Sequence, residues 1–246
     1  MRPETRIGTA NSTRPRRIAL LNTAHKREMT RRNFRREIDA DTVEFHCPSG
    51  EVPAGFGYDG FVVTGSGASV YRDRDWIDSL KTWVSGAVEA GLPGLGVCFG
   101  HQLLADAMGG RVEDMGEYEI GYRTVRHDGE NDLLVGVEEE MTVFTSHSDR
   151  VAEKPPGSTV FARNDYGIHG FRKGDVFGVQ FHPEYDMETA EEVAKGKEGD
   201  LPQERIERVL DGVHRDNYRE ASEAKNLFDN FLSYTEEAKP RRVTAD

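Results

Sequence analysis

Two cysteines in 246 residues exclude a disulfide framework and any zinc site built from several thiolates. Lysine is equally scarce: eight of the 32 basic residues are Lys and 24 are Arg, set against 44 acidic residues, for a net charge of -12. Such an acidic, lysine-poor chain is a poor general binder of nucleic acid. No apolar run approaches the length of a membrane span, so no membrane partner is expected. The first residues carry no signal-peptide core, which leads to the expectation of a cytoplasmic protein. No internal repeat is visible. What the chain does have is 36% hydrophobic residues over a length that supports one substantial core, so one domain is the default.

Of the two cysteines, Cys47 lies in a polar, loop-like stretch (His46-Cys47-Pro48-Ser49-Gly50), whereas Cys98 lies in Gly94-Leu-Gly-Val-Cys-Phe-Gly-His-Gln102. A G-x-C-x-G turn is the thiol form of the nucleophile elbow, where a strand turns sharply into a helix and the apical side chain is pushed out toward substrate. Gly96 and Gly100 let the two arms approach without a clash. Leu95 to Val97 reads as the end of a buried strand. His101 to Met108 reads as a helix with Leu103, Leu104, Ala107 and Met108 on its apolar side, stopped by Gly109-Gly110. Cys98 is thus expected at a helix N-terminus, where unpaired N–H groups and the helix dipole favour a thiolate, and the N–H of Phe99 is free to meet an oxyanion.

The second block is Val179-Gln-Phe-His-Pro-Glu184. Pro183 biases His182 to extended geometry, and Glu184 two residues on can lie beside the imidazole. A Cys-His-Glu set is a general-base-activated nucleophile: His182 takes and returns a proton while Glu184 fixes its tautomer. A lone cysteine is ordinarily an inert core residue; the elbow and the His-Pro-Glu block together outweigh that alternative for Cys98.

Strands are predicted at Arg17 to Leu21, Thr42 to Phe45 and Phe61 to Thr64, and a helix over Asp75 to Ala90, where Ile77, Leu80, Val84 and Val88 recur at helical spacing. Trp76 and Trp83 read as packing residues. The order strand, helix, strand, elbow implies a three-layer α/β fold: a mostly parallel sheet with helices on both faces. Short alternating runs at 121–127, 141–145, 159–163, 168–172 and 176–181 imply an antiparallel extension that returns the chain to bring His182 to Cys98. The arginines of 26–38 (Arg27, Arg31, Arg32, Arg35, Arg36) form either a docking face for an acidic partner or phosphate, or, as is commoner, a solvated helix face. Ala221, Ala224, Phe228, Phe231 and Leu232 mark a final helix packed on the sheet. The expected organisation is a flexible tail at 1–16, a domain at 17–235 with an added helical segment at 186–225, and a C-terminal tail at 236–246.

At these residues the chain resembles the class I glutamine amidotransferases of the triad type, from about Arg17 to Leu232. Thr64-Gly-Ser-Gly-Ala-Ser-Val-Tyr71, Glu119-Ile-Gly-Tyr122 and Ser146-His-Ser-Asp-Arg-Val151 are most similar to stand-alone proteins related to the amidotransferase domain of GMP synthase. The resemblance implies hydrolysis of L-glutamine through a γ-glutamyl thioester, with release of ammonia to a synthetase or other acceptor-activating partner. It implies Cys98 as nucleophile, His182 as general base and acid, and Glu184 as orienting group, and neither metal nor cofactor is needed for that half-reaction. The turn at Gly65 and Ser66 would supply a second oxyanion N–H beside that of Phe99. Gly-Ser-Gly replaces the family's usual Gly-Gly-Pro there, and the serine keeps its N–H.

Gln102 and the backbone of Ser146 and His147 would hold the substrate's amino-acid end. The plainer readings are an exposed polar helix residue for Gln102 and a self-bonded turn at His147 and Asp149. Glu119 and Tyr122 could equally be ordinary strand residues and are not counted as catalytic. The stretch 186–225 is longer than the family's usual link and could be a lid, a docking surface or a solvated layer. Two other functions stay open: cleavage of other γ-glutamyl compounds, which depends on room beyond the scissile amide, and a non-catalytic regulatory subunit. No nucleotide-binding G-x-x-x-x-G-K-[ST] run occurs, and no Ser-Gly-Gly pyrophosphatase loop, so the acceptor half is expected elsewhere.

Overall fold

The computed structural model describes residues 15–128 and 131–238. Parts of the expected tails, 1–14 and 239–246, lie outside the described residues. Arg16 and Glu236, both in stretches read as tails, are joined by an ion pair at 2.7 Å.

Nine strands form one sheet in the order β2-β1-β3-β4-β9-β8-β7-β5-β6. The parallel half contains β2 (Asp41–His46), β1 (Arg17–Asn22), β3 (Gly60–Val63), β4 (Gly94–Val97) and β9 (Val176–Val179). The antiparallel half continues through β8 (Gly167–Lys173), β7 (Thr159–Asn164), β5 (Arg111–His127) and β6 (Glu140–Glu153). The period-two alternation of strands sorts β1 cleanly: Ile18 and Leu20 face one core, Ala19 and Leu21 the other. The first core is closed by α1 (Arg27–Glu37) and α7 (Asn226–Glu237) through Phe34, Phe228 and Phe231. The second is closed by α2 (Asp75–Glu89) and α3 (Phe99–Ala107) through Ile77, Leu80, Val84 and Leu104. The three-layer α/β architecture is therefore as expected. Trp83 packs edge-on to Phe61 and Trp76 tilts over Phe99, both as packing residues.

Two features differ from the sequence pattern. β5 and β6 are far longer than the alternating runs at 121–127 and 141–145, because a bulge interrupts their register: Asp114 pairs with Asp149 and Glu119 with His147, leaving 115–118 against Ser148 alone. Gly116, at φ 73°, turns inside that bulge. The Ser146–Asp149 run is accordingly the strand opposite that bulge rather than a free turn. The ladder of β9 in turn stops at Val179, two residues before the expected end.

The added segment contributes α4 (Met187–Lys195), α5 (Gln203–Asp211) and α6 (Arg215–Ala221). Ala190, Ala194, Val209 and Val213 bury against Ile120 and Phe144, so α4 and α5 have a small core of their own on the β5–β6 hairpin. Among the described residues no helix is long and apolar enough to cross a membrane.

Candidate active site

Three neighbouring parallel strands converge at their C-terminal ends, the usual place for a site in an open α/β sheet. Val63 of β3 pairs with Gly96 of β4, and Val97 of β4 with Val179 of β9. The chain segments that leave those ends carry Gly65, Cys98 and His182.

Cys98 has φ 53° and ψ -105° and is, among the described residues, the one non-glycine at positive φ. A side chain held there costs about 1–3 kcal/mol, and the surroundings hold it in place. Its N–H donates to the Val179 carbonyl (2.9 Å), and its carbonyl accepts the Gln102 N–H (3.1 Å) that opens α3. The sharp turn needs its glycines. A Cβ on Gly96 would lie 2.4 Å from the Gly100 carbonyl oxygen, and one on Gly100 would lie 2.2 Å from that of Val63. Phe99 opens α3, so its N–H belongs to the first-turn donors with no intrahelical acceptor. Its ring points away into the core.

His182 is anchored by its own N–H to the Phe144 carbonyl (2.8 Å), and its Nδ1 meets Glu184 Oε1 at 2.8 Å. Tyr185 stacks on the imidazole, with centroids 4.1 Å apart and planes within 17°. Burial pushes the imidazolium down, yet the charges of Glu184 and of the Cys98 thiolate, with hydrogen bonds to both, outweigh it and lift the His182 pKa to about 10. An unfolded histidine titrates near 6.5. The stabilisation from this cluster is therefore complete below that value and is lost as pH rises from there through about 10.

One consequence is testable on turnover, since a protonated His182 is the group able to hand a proton to a leaving amine. Activity should fall as pH passes about 10, and in Glu184→Gln, which lacks the strongest raising charge, it should fall at lower pH. Using the same substrate for both proteins cancels the substrate's own titration, and coincident alkaline limbs would refute the assignment.

The cleft over Cys98 has two lobes. A smaller one, about 60 Å³, is bordered by Gln102, Tyr118 and the Ser146–Asp149 edge of β6. A larger one, about 260 Å³, opens toward α1 and α4, with Met29, Asn33, Tyr185 and Val193 in its wall. Ser66, Gly67, Cys98, Ser146 and Lys197 border both. The Ser146 carbonyl oxygen lies 3.9 Å from the Cys98 sulfur. Gly65 touches both Cys98 and His182: a Cβ there would be 3.7 Å from the Cys98 Cβ and 2.8 Å from the His182 Cε1. Its loop is tied down by Thr23, whose hydroxyl bonds the carbonyls of Thr64 (2.9 Å) and Gly65 (3.0 Å).

Gln102 is 3% exposed rather than on an open helix face. Its Nε2 donates to the Asp149 carbonyl (2.9 Å) and to Gln180 Oε1 (3.1 Å), which leaves Oε1 as the group without a partner. The His147 side chain turns away from the cleft and bonds Glu119, so only its backbone is available there. Cys47 lies at the start of a short 3₁₀ turn, fully buried, with its thiol pushed up to about 12 by burial. Both cysteines are free thiols.

The arginine-rich helix is in part the solvated face expected, with Arg32, Arg35 and Arg36 exposed, and most of its arginines also pair within the chain. Arg27 and Arg31 pair with Glu44 of β2, and Arg32 pairs with Glu188 at the start of α4. Arg36 donates to the Glu184 carbonyl (2.6 Å) and to Asp186 (2.6 Å), the N-cap of α4. The guanidinium thus pins both ends of the turn that carries the carboxylate partner of His182, a role hidden by the sequence separation of 148 between Arg36 and Glu184. Arg36→Ala should lower turnover roughly tenfold while the fold survives, the scale of losing a charge-assisted anchor; an unchanged kcat would refute that role. Tyr185 also escaped the sequence reading, although an aromatic directly after His-Pro-Glu was its available signal.

The family model described as class-I glutamine amidotransferase matches residues 22–195. The chain belongs to this family. Among similar curated proteins are the glutamine-hydrolysing GMP synthases of Thermomicrobium roseum, 37% identical over 126 residues, and of a Nostoc species, 36% over 128 residues. In each the match covers 51% of this chain and 23% of the relative, so the chain spans about a quarter of their length. Two solved structures share the amidotransferase fold at low identity. A glutamine amidotransferase of Thermotoga maritima superposes with TM-score 0.75 at 21% identity, covering 90% of this chain and 98% of that one. Another, from Methylobacillus flagellatus, gives 0.76 at 20%, covering 91% and 95%.

Proposed function

We propose that the chain hydrolyses the side-chain amide of L-glutamine. The observation that carries this reading is the strained Cys98 at the start of α3, faced by a buried, hydrogen-bonded His182–Glu184 pair. The Cys98 sulfur adds to the amide carbon, His182 hands its proton to the departing nitrogen, and the C–N bond breaks to give a γ-glutamyl thioester and ammonia. Water, deprotonated by His182, then adds to the thioester, the C–S bond breaks, and glutamate leaves. The N–H groups of Phe99 and of the Gly65–Ser66 turn bind the oxyanion of each tetrahedral intermediate. The smaller lobe takes the amino-acid end, with Gln102, Ser146 and His147 around it. Ammonia leaves through the larger lobe toward an acceptor-activating synthetase, in keeping with the GMP synthases the chain resembles. The chain and its tails would act as one domain, with 186–225 as a layer beside the larger lobe.

The test is ammonia release from L-glutamine by the purified protein, alone and with cell extract, together with labelling of Cys98 by a diazo-ketone glutamine analogue. No release and no adduct from folded protein would overturn the reading.

A second reading rests on the larger lobe. Ammonia occupies about as much space as water, roughly 30 Å³, and the lobe is about 260 Å³. The same thioester chemistry would serve γ-glutamyl amines with a bulkier leaving group. A kcat/KM for a γ-glutamyl alkylamide above that for glutamine would favour it.

A further inference from the structure

Directly behind the smaller lobe lies a buried polar node that the thiol chemistry does not use. Glu119 is 0% exposed, and its Oε2 accepts from His147 Nε2 (2.7 Å) and His169 Nε2 (3.1 Å), while Oε1 accepts from Asn164 Nδ2 (2.5 Å). Burial pushes the carboxyl up, but the hydrogen bonds and charges of His147 and His169 outweigh it and hold its pKa at about 2. The separations are those of N–H···O hydrogen bonds. The ligands of one tetrahedral zinc, at bonds of about 2.0–2.1 Å, would stand about 3.3 Å apart.

The position of the node is what matters. Glu119 is the first β5 residue to regain register after the bulge, and its cross-strand partner is His147. The other ring nitrogen of His147 reaches the Asp149 carbonyl (2.9 Å), which also accepts from Gln102 (2.9 Å), while Tyr71 donates to the Asp149 carboxylate (2.9 Å). The strand opposite a bulge has lost part of its ladder and needs side-chain bonds to keep one shape. Here Gln102 and Tyr71 hold the Asp149 end, Glu119 holds the middle through His147, and the strand they shape is the Ser146–Asp149 wall of the smaller lobe.

We propose that Glu119 is a positioning residue for substrate binding. Through His147 it sets the backbone of Ser146 to Asp149, the stretch of β6 opposite the β5 bulge, against which the amino-acid end of the γ-glutamyl substrate is held. The inference rests on the glutamine-hydrolysis reading for the identity of that substrate. Because the node touches neither Cys98 nor His182, its loss should weaken binding and leave the thiol's own reactivity in place.

Glu119→Gln keeps the volume but cannot accept on both sides at once, so either the two imidazoles or Asn164 loses its acceptor. The expected result is a KM for L-glutamine raised at least about tenfold, with kcat and the rate of Cys98 alkylation by iodoacetamide each changed less than about threefold. A KM unchanged in folded variant would overturn the proposal, as would kcat and alkylation falling together. Should Glu119→Gln not fold, Asn164→Ala removes a single donor at the half-buried edge of the node, and its KM should rise about threefold; an unchanged value there overturns the proposal equally. Failure of the parent reading has a different signature: unmutated protein that neither hydrolyses glutamine nor has Cys98 protected by it from iodoacetamide.

Discussion

Alanine in place of Cys98 is expected to lower glutamine hydrolysis by at least about 10⁴-fold, and His182→Ala by a similar factor, because nucleophile and proton carrier act as one unit whose members cannot be lost singly. The double variant should be little worse than either single one. Ammonia release at saturating glutamine measures this directly. The fold should persist in Cys98→Ala, since alanine meets the same left-handed backbone geometry at φ 53° and keeps the Val179 and Gln102 backbone bonds. Cys47→Ala serves as the internal control: that thiol is buried and pushed to about 12, so it is neither exposed nor ionised at neutral pH. Full turnover in Cys98→Ala would end the thioester mechanism for this chain.

The second large effect comes from one methyl group. In Gly65→Ala the new Cβ would sit 2.8 Å from the His182 Cε1, well inside contact distance. The imidazole has nowhere to retreat, since Tyr185 covers its face and Glu184 holds its Nδ1. Either the ring tilts off Cys98 or the Thr64–Gly65 loop lifts against its two bonds to Thr23. A displacement on the order of 1 Å at a reacting group costs about 100-fold in rate, and turnover should fall by about that much. Gly57→Ala, where a Cβ meets nothing within 4 Å, should leave kcat within about twofold. Equal rates for the two variants would mean that His182 is not the group Gly65 confines. Crystallography or an NMR shift of the His182 ring in Gly65→Ala would separate tilting from loop movement.

The legibility of the site in the sequence followed from how local each feature is. The elbow is a contiguous turn, and steric exclusion alone demands glycine at positions 96 and 100 whatever the rest of the chain does. His182 and Glu184 are two residues apart, so their pairing needs only an extended backbone. The parallel strands also announce themselves, because four-residue segments such as Gly94–Val97 are buried on both faces. In contrast, the long β5–β6 hairpin was hidden: Glu113, Asp114, Gly116 and Glu117 lie outside any alternating apolar run, and only pairing with β6 makes that stretch strand. Glu119 looked like an ordinary strand residue for the same reason, since its three donors come from positions 147, 164 and 169.

The arginines of α1 show the limit most plainly. Composition identifies a basic helix face, but charge is non-directional, and what it meets depends on which elements are packed beside it. The fold lays α1 against β2 and the start of α4, so that face is largely spent on Glu44, Asp186 and Glu188, and one of its members, Arg36, comes to hold the turn at Glu184. The thiol elbow, the imidazole–carboxylate pair and the α/β layering can be read without a structure, because they rest on adjacent residues and on hydrophobic periodicity. Tertiary structure alone decided the two-lobed cleft, the Glu119 node and the Arg36 anchor, because each is made by groups far apart in the chain whose distances are set only when the sheet closes its order.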